Sequence, residues 1–349
     1  TDLSHVSELR VISRSSAMAF KDQRKDIGNI RRQLDVQYVL EGSVRKSGEH
    51  LRITAQLIDA KNDSHLWAEK YSGTIEDIFQ IQEQVSSAIV DALKITLAPD
   101  EEKRLTQHGI TNVTAYECYL RARQFLWYFK EDFLRRAEDE VTRGLALTGP
   151  NELLYATLGW IYHQYMEIGI LDDGDTSYLQ KADECVDKVF ELNPDSADGY
   201  GLAGILCYRR GDFQQAVNHY KKCLAVQPQN PDVLQSFVYS TMLAGHEKAV
   251  LPYIDVLEKV DPMTPINACM RGFYFGMQGR FAEALPYYAK MYNMSSENPA
   301  VRLFYAWVLA WNEKNESAVN VLDQIIHETP ESIFAPLAKV MKYALLGEK

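Results

Sequence analysis

Three groups of residues in this sequence have types and spacings that could do chemistry. GYGLAG at 199–204 fits G-x-G-x-x-G, the spacing that lets a backbone loop approach a dinucleotide pyrophosphate. That chemistry needs a strand before the glycines and a helix N-terminus aimed at the phosphates. Here Asn193-Pro194 precedes them, and the surrounding apolar spacing puts all three glycines inside a helix, so no cofactor loop is expected. DDGD at 172–175 has the carboxylates for calcium but lacks alternating ligands, a sixth-place glycine and a twelfth-place glutamate. A solvated loop is the expectation there. The eight histidines (His5, His50, His65, His108, His163, His219, His246 and His327) never pair as H-x-x-x-H or H-E-x-x-H, so zinc hydrolysis has no ligand pair. Nor does the sequence hold a G-x-S-x-G elbow, a G-x-x-x-x-G-K-[ST] loop or a kinase signature. Cys118, Cys185, Cys207, Cys223 and Cys269 are odd in number and form no C-x-x-C, which points to small buried hydrophobes rather than disulfides or zinc. No catalytic residue, cofactor or metal is expected within this chain.

The elements that carry these residues follow from composition and periodicity. A chain of 349 residues, 46% apolar and 24% charged, is ordered and too long for one ordinary core, so two domains or a repeat array is expected. Net charge is −11, and its excess is uneven: residues 1–105 hold 15 basic and 17 acidic side chains, whereas 106–349 hold 22 and 31. An acidic array argues against nucleic acid as partner, because phosphate binding relies on basic side chains. No run of eighteen apolar residues occurs, so no membrane-inserting segment is expected, and no basic-then-apolar leader precedes TDLSHVSELRVISRSS. That opening reads as a piece cut from something longer.

The spacing in YRRGDFQQAVNHYKKCLAVQP (208–228) has a mechanical explanation. Tyr200, Gly204, Gly211, Ala216, Tyr220, Cys223 and Pro228 take positions 4, 8, 15, 20, 24, 27 and 32 of a 34-residue frame. Gly272, Gly279, Ala284 and Tyr288 recur at positions 8, 15, 20 and 24. Two helices cross closely only where small residues meet, hence Gly204 and Ala216; Gly211 supplies the turn, and Pro228 stops the second helix. This frame resembles the tetratricopeptide repeat. Looser copies hold Leu158, Gly159, Tyr162, Ala182 and Pro194; Ala249 and Pro262; Ala306, Ala318, Leu322 and Pro330; and, earliest, Ala122 and Ala137. SIFAPLAKVMKYALLG reads as a lone final helix. About six repeats plus that helix would fill 101–349 as an all-α right-handed superhelix with a concave surface made by first helices.

Before residue 100 the period changes. RVISRSSAM is a strand candidate, and DIGNIRRQLD a short helix opened by Asp26. YVLEGSVRKSGEHLRITAQLIDA alternates with period two around Ser47-Gly48-Glu49, which sets Tyr38, Leu40 and Val44 on the face of Leu51, Ile53, Ala55 and Leu57. HLWAEKYSG is a third strand after Lys61-Asn62-Asp63, and Ile78, Ile81, Val85 and Ile89 mark a helix. The fold class is therefore α+β: a small α/β domain with linker helix at 1–100, then helices over most of the chain.

The run VISRSSAMAF…DVQYVLEGSVRKSGEHLRITAQLIDAKNDSHLWAEKYSGTIEDIFQIQ resembles the TolB amino-terminal-like domain of bacterial signalling proteins, and AYECYLRARQFL resembles the phrase that opens the repeats after it. The likeness covers about residues 6–146. It implies a further strand upstream of this sequence. It also implies a parent in which such modules follow class III nucleotide cyclase, winged-helix or protein kinase domains, commonly on the periplasmic side of an inner membrane. Unpaired cysteines suit the cytoplasm equally.

Frame positions 9, 12 and 13 of each first helix point into the groove. They hold Trp160, Tyr208, Tyr239, Phe273, Trp307 and Trp311, with Met242, Leu243 and Met277 among them and His163 and Arg209 as polar exceptions. Large aromatics on an acidic array suggest a protein or peptide partner. Two alternatives stand beside this: the aromatics pack between helices, or another segment of the chain fills the groove. The Lys, Asn and Arg set with which relatives clamp a C-terminal carboxylate is missing. The expected function is non-catalytic peptide recognition in a regulatory or scaffolding module, with any signal passing through the helix at 75–97. The competing expectations are the C-terminal part of an enzyme such as an adenylate or guanylate cyclase, and a free-standing adaptor. Homo-oligomers are compatible with all three.

Overall fold

The computed structural model describes residues 2–21, 26–106, 109–128, 130–168 and 178–347, so the DDGD run lies outside it. A 3-10 turn at Asp2–His5 leads to α1 (Arg14–Met18). The strand expected over 10–18 does not form. Ser13 caps α1 instead, its Oγ accepting from the Ser16 amide at 3.0 Å. Short hydroxyl side chains offer the backbone local bonds that compete with a ladder, and here they win.

The rest of the N-terminal part follows its periodicity. Asp26 Oδ1 accepts from the Asn29 amide at 2.9 Å and opens α2 (Ile27–Leu34). β1 (Tyr38–Ser47), β2 (His50–Asp59) and β3 (Ser64–Thr74) form an antiparallel meander in that order. Ser47 pairs with His50 across a turn in which Gly48 has φ 61°, a conformation glycine adopts without strain. Leu40 faces Leu57 and Val44 faces Ile53, as the alternation requires. Only β2 is buried on that face, however. Leu51, Ala55 and Leu57 are covered, while Leu40 and Val44 are 48% and 66% exposed: the following helix packs on β3, and β1 packs instead through Val39, which meets the core of Ile27 and Ile58. Thr74 opens the 3-10 turn Ile75–Asp77 that leads into that helix: its amide and Oγ1 both donate to Asp77 Oδ2, at 2.7 and 2.8 Å, which holds the Asp77 carboxyl below its ordinary range. α3 (Ile78–Leu93) and α4 (Pro99–Thr106) complete this part.

From residue 113 the described residues are mostly helical, and successive helices pack in pairs: α5 (Val113–Phe125) with α6 (Glu131–Thr148), α7 (Glu152–Glu167) with α8 (Tyr178–Leu192), and α9 (Ala197–Arg209) with α10 (Phe213–Val226). α11 (Pro231–Leu243) is followed by a 3-10 turn at Glu247–Ala249 and then α12 (Leu251–Val260). Ala249 thus precedes the helix in which the frame places it, because Pro252 lacks the N–H for an interior position and fits a helix start. The next first helix is broken at Cys269 into α13 (Pro265–Ala268) and α14 (Met270–Met277), and pairs with α15 (Phe281–Met294). α16 (Pro299–Trp311), α17 (Asn315–Glu328) and α18 (Ala335–Leu346) follow.

The glycine spacing is explained by contact. A Cβ on Gly204 would sit 2.4 Å from Tyr220 Cε1, and one on Gly159 would sit 2.2 Å from Leu202 Cδ2. Gly211 and Gly279 have φ of 77° and 72° in the inter-helix turns. Gly199, Gly201 and Gly204 are buried within α9, so the G-x-G-x-x-G run is helix packing.

The chain folds as two compact units. One comprises residues 1–11 and 24–233, the other residues 12–23 and 234–349. The second unit therefore incorporates α1 from the distant N-terminal part. Ser13 donates its amide to the Val260 carbonyl at 2.7 Å and its hydroxyl to Asp261 Oδ1. Ser16 Oγ donates to the same oxygen at 2.5 Å and accepts from the Met263 amide at 2.9 Å. Asn267 Nδ2 donates to Asp261 Oδ2 at 2.7 Å. Ser16, Asp261 and Asn267 are all buried, and both Asp261 oxygens are bonded, which leaves only Asn267 Oδ1 of this polar core without a partner.

Candidate functional site

In the first unit the groove-side residues come from first helices α5, α7 and α9. Trp160 stands edge-on to His163, ring centroids 5.5 Å apart at 79°. Tyr208 tilts against Phe213 of its own pair at 5.6 Å. Both are half-buried. His163 is only 6% exposed, and neither ring nitrogen has a hydrogen-bond partner. Burial, helped by the Arg209 charge, lowers its pKa to about 3, so the imidazole is neutral at ordinary pH. Gln164 Oε1, one residue on, is likewise buried without a partner. Arg209 of α9 pairs with Glu167 of α7, whose Oε1 also lies 3.5 Å from His163 Nε2.

A second polar group lies on the same side. Tyr119 and Arg123 of α5 fall at frame positions 5 and 9, and Asp198 of α9 at position 2. Burial raises the Asp198 pKa, and Glu152 adds to this while Arg123 opposes it. For Arg123, burial works against the charge, but Tyr119, Asp232 and Asp198 together hold its pKa above the ordinary value. These groups were not among the sequence candidates. Arg123 lies at position 9 of the loosest repeat, and extending the frame to positions 2 and 5 adds Asp198 and Tyr119.

In the second unit the groove-side aromatics pair with their neighbours. Tyr239 and Phe273 stack across first helices, 4.7 Å apart at 11°. Trp307 meets Phe304 edge-on at 5.3 Å, and Trp311 tilts on Phe281 at 5.2 Å. Trp311 keeps 42% of its surface exposed, as do Met277 (48%) and Leu243 (36%), whereas Met242 is buried. Trp307, Tyr239 and Phe273 are half-buried. The six aromatics are thus partly packing residues and partly surface, and each unit presents its own set.

Among the described residues no three His, Cys, Asp or Glu side chains are placed to share a metal ion, and no helix is long and apolar enough to cross a membrane. The cysteines are free thiols, buried except for half-buried Cys207, and burial raises the pKa of each; Cys185, Cys223 and Cys269 reach about 12.

The tetratricopeptide repeat family matches residues 197–230 and 277–339. A putative adenylate cyclase 3 of Rhizobium meliloti is 46% identical over 129 residues, which span 37% of this chain and 22% of that protein's length. Among solved structures, PilW, a type IV pilus biogenesis factor, is 17% identical with a TM-score of 0.49, over 63% of this chain and 97% of that one. A tetratricopeptide repeat protein from Parabacteroides merdae is 14% identical with a TM-score of 0.48, over 68% and 88%. Residues 197–230 and 277–339 therefore match tetratricopeptide repeats, within a helical, repeat-like region that follows a small three-stranded sheet.

Proposed function

We propose that this chain is a non-catalytic peptide- or protein-binding module with a regulatory or scaffolding role in a larger bacterial signalling protein. Residues 1–100 are its TolB-like domain and 101–349 its binding array. The observation that carries this reading is the set of half-exposed groove-side aromatics on successive first helices. Surfaces of this kind supply anchors with large contact area. A ligand seated on α5 has a route toward the N-terminal part, since Tyr116 of α5 packs on Phe79 of α3 at 5.0 Å.

The test is selection of linear peptides from a displayed random library on the full chain, followed by affinity measurement on Trp160→Ala and on the Trp307→Ala, Trp311→Ala pair. Loss of affinity in one set supports groove binding. Affinity unchanged in both sets, together with unchanged output of the parent protein, removes the reading.

The 46% identity to part of a putative adenylate cyclase favours a second reading, in which this module belongs to a cyclase polypeptide. The reading frame on either side of residues 1–349 decides it. A neighbouring cyclase domain supports it, and a frame encoding only this chain leaves a free-standing adaptor.

A further inference from the structure

The α7–α9 face of the first unit holds buried polar atoms that the fold itself does not use. His163 is 6% exposed, yet neither ring nitrogen is bonded, and the Oε1 of adjacent Gln164 is also buried and unbonded. Native interiors rarely leave such groups unpaired, because each forfeits its bonds to water on burial. Three of them fall on two consecutive residues at groove-side frame positions, unlike the unpaired hydroxyls of Ser240 and Thr241, which have no place in that set. Trp160 walls it, edge-on to the imidazole at 5.5 Å.

The chemistry of the free atoms defines what would satisfy them. A neutral imidazole offers one N–H donor and one acceptor, and an amide oxygen accepts. A cation is disfavoured, because Arg209 lies close enough to depress imidazole protonation. An anion would have to displace Glu167 from Arg209. A neutral amide fits: its carbonyl accepts from the imidazole N–H while its N–H donates to Gln164 Oε1.

We propose that His163 and Gln164 hold one amide group of an extended peptide lying along α7 and α9, with the side chain beside that amide against Trp160. The site rests on the peptide-binding function proposed above and names its recognition chemistry. Entry requires the Arg209–Glu167 pair to part. Arg209 is 28% and Glu167 45% exposed at the side chain, and a pair that solvated contributes little to hold the site shut.

The test uses the full chain and a peptide selected from a random displayed library. His163→Phe keeps the ring beside Trp160 but removes both nitrogens, and Gln164→Met keeps length but removes the oxygen. Each is expected to weaken peptide binding about tenfold, roughly the net worth of a buried hydrogen bond. Each is also expected to raise the urea midpoint of the free chain, since an unsatisfied polar atom is lost. A purely structural role would lower stability and binding together, and would overturn the site. So would unchanged affinity in both variants; if Trp307→Ala or Trp160→Ala still weakens the same peptide, groove binding stands without this site. Selection of no peptide overturns both. The amide belongs to the backbone if N-methylation at one position abolishes binding, and to an Asn or Gln side chain if alanine there does.

Discussion

Gly201→Ala and Gly204→Ala, made separately, test why the glycines of α9 occur where they do. Both are buried in the same helix. A Cβ on Gly204 would lie 2.4, 2.6 and 2.9 Å from three atoms of the Tyr220 ring, and Tyr220 has no exposed surface into which to move. On Gly201 the nearest atoms are Val233 Cγ2 at 3.4 Å and Cys223 Sγ at 3.8 Å, which is ordinary contact. Either substitution gains about 0.5–1 kcal/mol from the stiffer backbone of alanine in a helix. At Gly201 nothing opposes that gain, so stability rises by about that amount. At Gly204 overpacking costs about 1–3 kcal/mol, and contacts inside van der Waals distance place it toward the upper end. The net loss there is about 1–2 kcal/mol. The two variants therefore differ by roughly 2–3 kcal/mol although their chemistry is identical. Urea denaturation followed by far-ultraviolet circular dichroism measures this: the midpoint should rise for Gly201→Ala and fall for Gly204→Ala, with slopes unchanged. A Gly204→Ala protein at least as stable as wild type would refute helix crossing as the reason for the spacing.

Three further outcomes are expected. Because the folded His163 pKa lies near 3, the unfolded chain binds a proton below about pH 6.5 that the folded chain does not, so stability falls with pH by up to about 1.4 kcal/mol per unit. His163→Gln should flatten that acid-side slope in urea midpoints measured from about pH 7 to 5, even though His219, also lowered by burial, remains; an unaltered slope contradicts it. Asp261→Ala strips the acceptor from Ser13, Ser16 and Asn267, costs about 3 kcal/mol, and should expose Arg14 to trypsin; cleavage at the wild-type rate would mean α1 is held otherwise. Arg302, 7% exposed, bonds the Ser296 carbonyl at 2.6 Å, the Gln324 carbonyl at 3.3 Å and Glu328 at 2.6 Å. Arg302→Lys should lose about 2 kcal/mol in thermal unfolding, because an ammonium cannot reproduce the fork, and a silent substitution would show these bonds to be dispensable.

Period and punctuation made much of this fold legible. Gly204, Gly211, Ala216 and Pro228 each report a steric fact that holds wherever two helices cross and turn, so four residues locate a pair. The β1–β2 register follows because a one-residue slip would swap the faces of Leu51 and Leu57. The strand assigned to RVISRSSAM failed for the opposite reason. Alternation there is short, and its serines had partners more than 240 positions away, at Asp261. No local pattern carries information of that kind. The break at Cys269 was equally invisible, since nothing in PINACMRGF marks an interruption.

The groove shows the same limit more sharply. The frame identifies which side chains point to one side, and the aromatics named from it do lie on first helices. It does not distinguish an aromatic that is spent on a neighbour from one that is available. Tyr239 and Phe273 satisfy each other by stacking, whereas Trp311 keeps much of its ring in solvent. For polar residues the distinction is stronger still. In sequence His163 and Arg209 look alike, as polar exceptions on an apolar face. In the fold Arg209 has a partner in Glu167, while the His163 imidazole is sealed in with neither nitrogen hydrogen-bonded, the same Glu167 Oε1 lying 3.5 Å from Nε2. Binding surfaces are selected for what a partner completes, and an incomplete hydrogen-bond set beside a groove is a place where a partner can add bonds. On that criterion the α7–α9 face carries a stronger claim to ligand contact than the aromatic face richest in exposed surface.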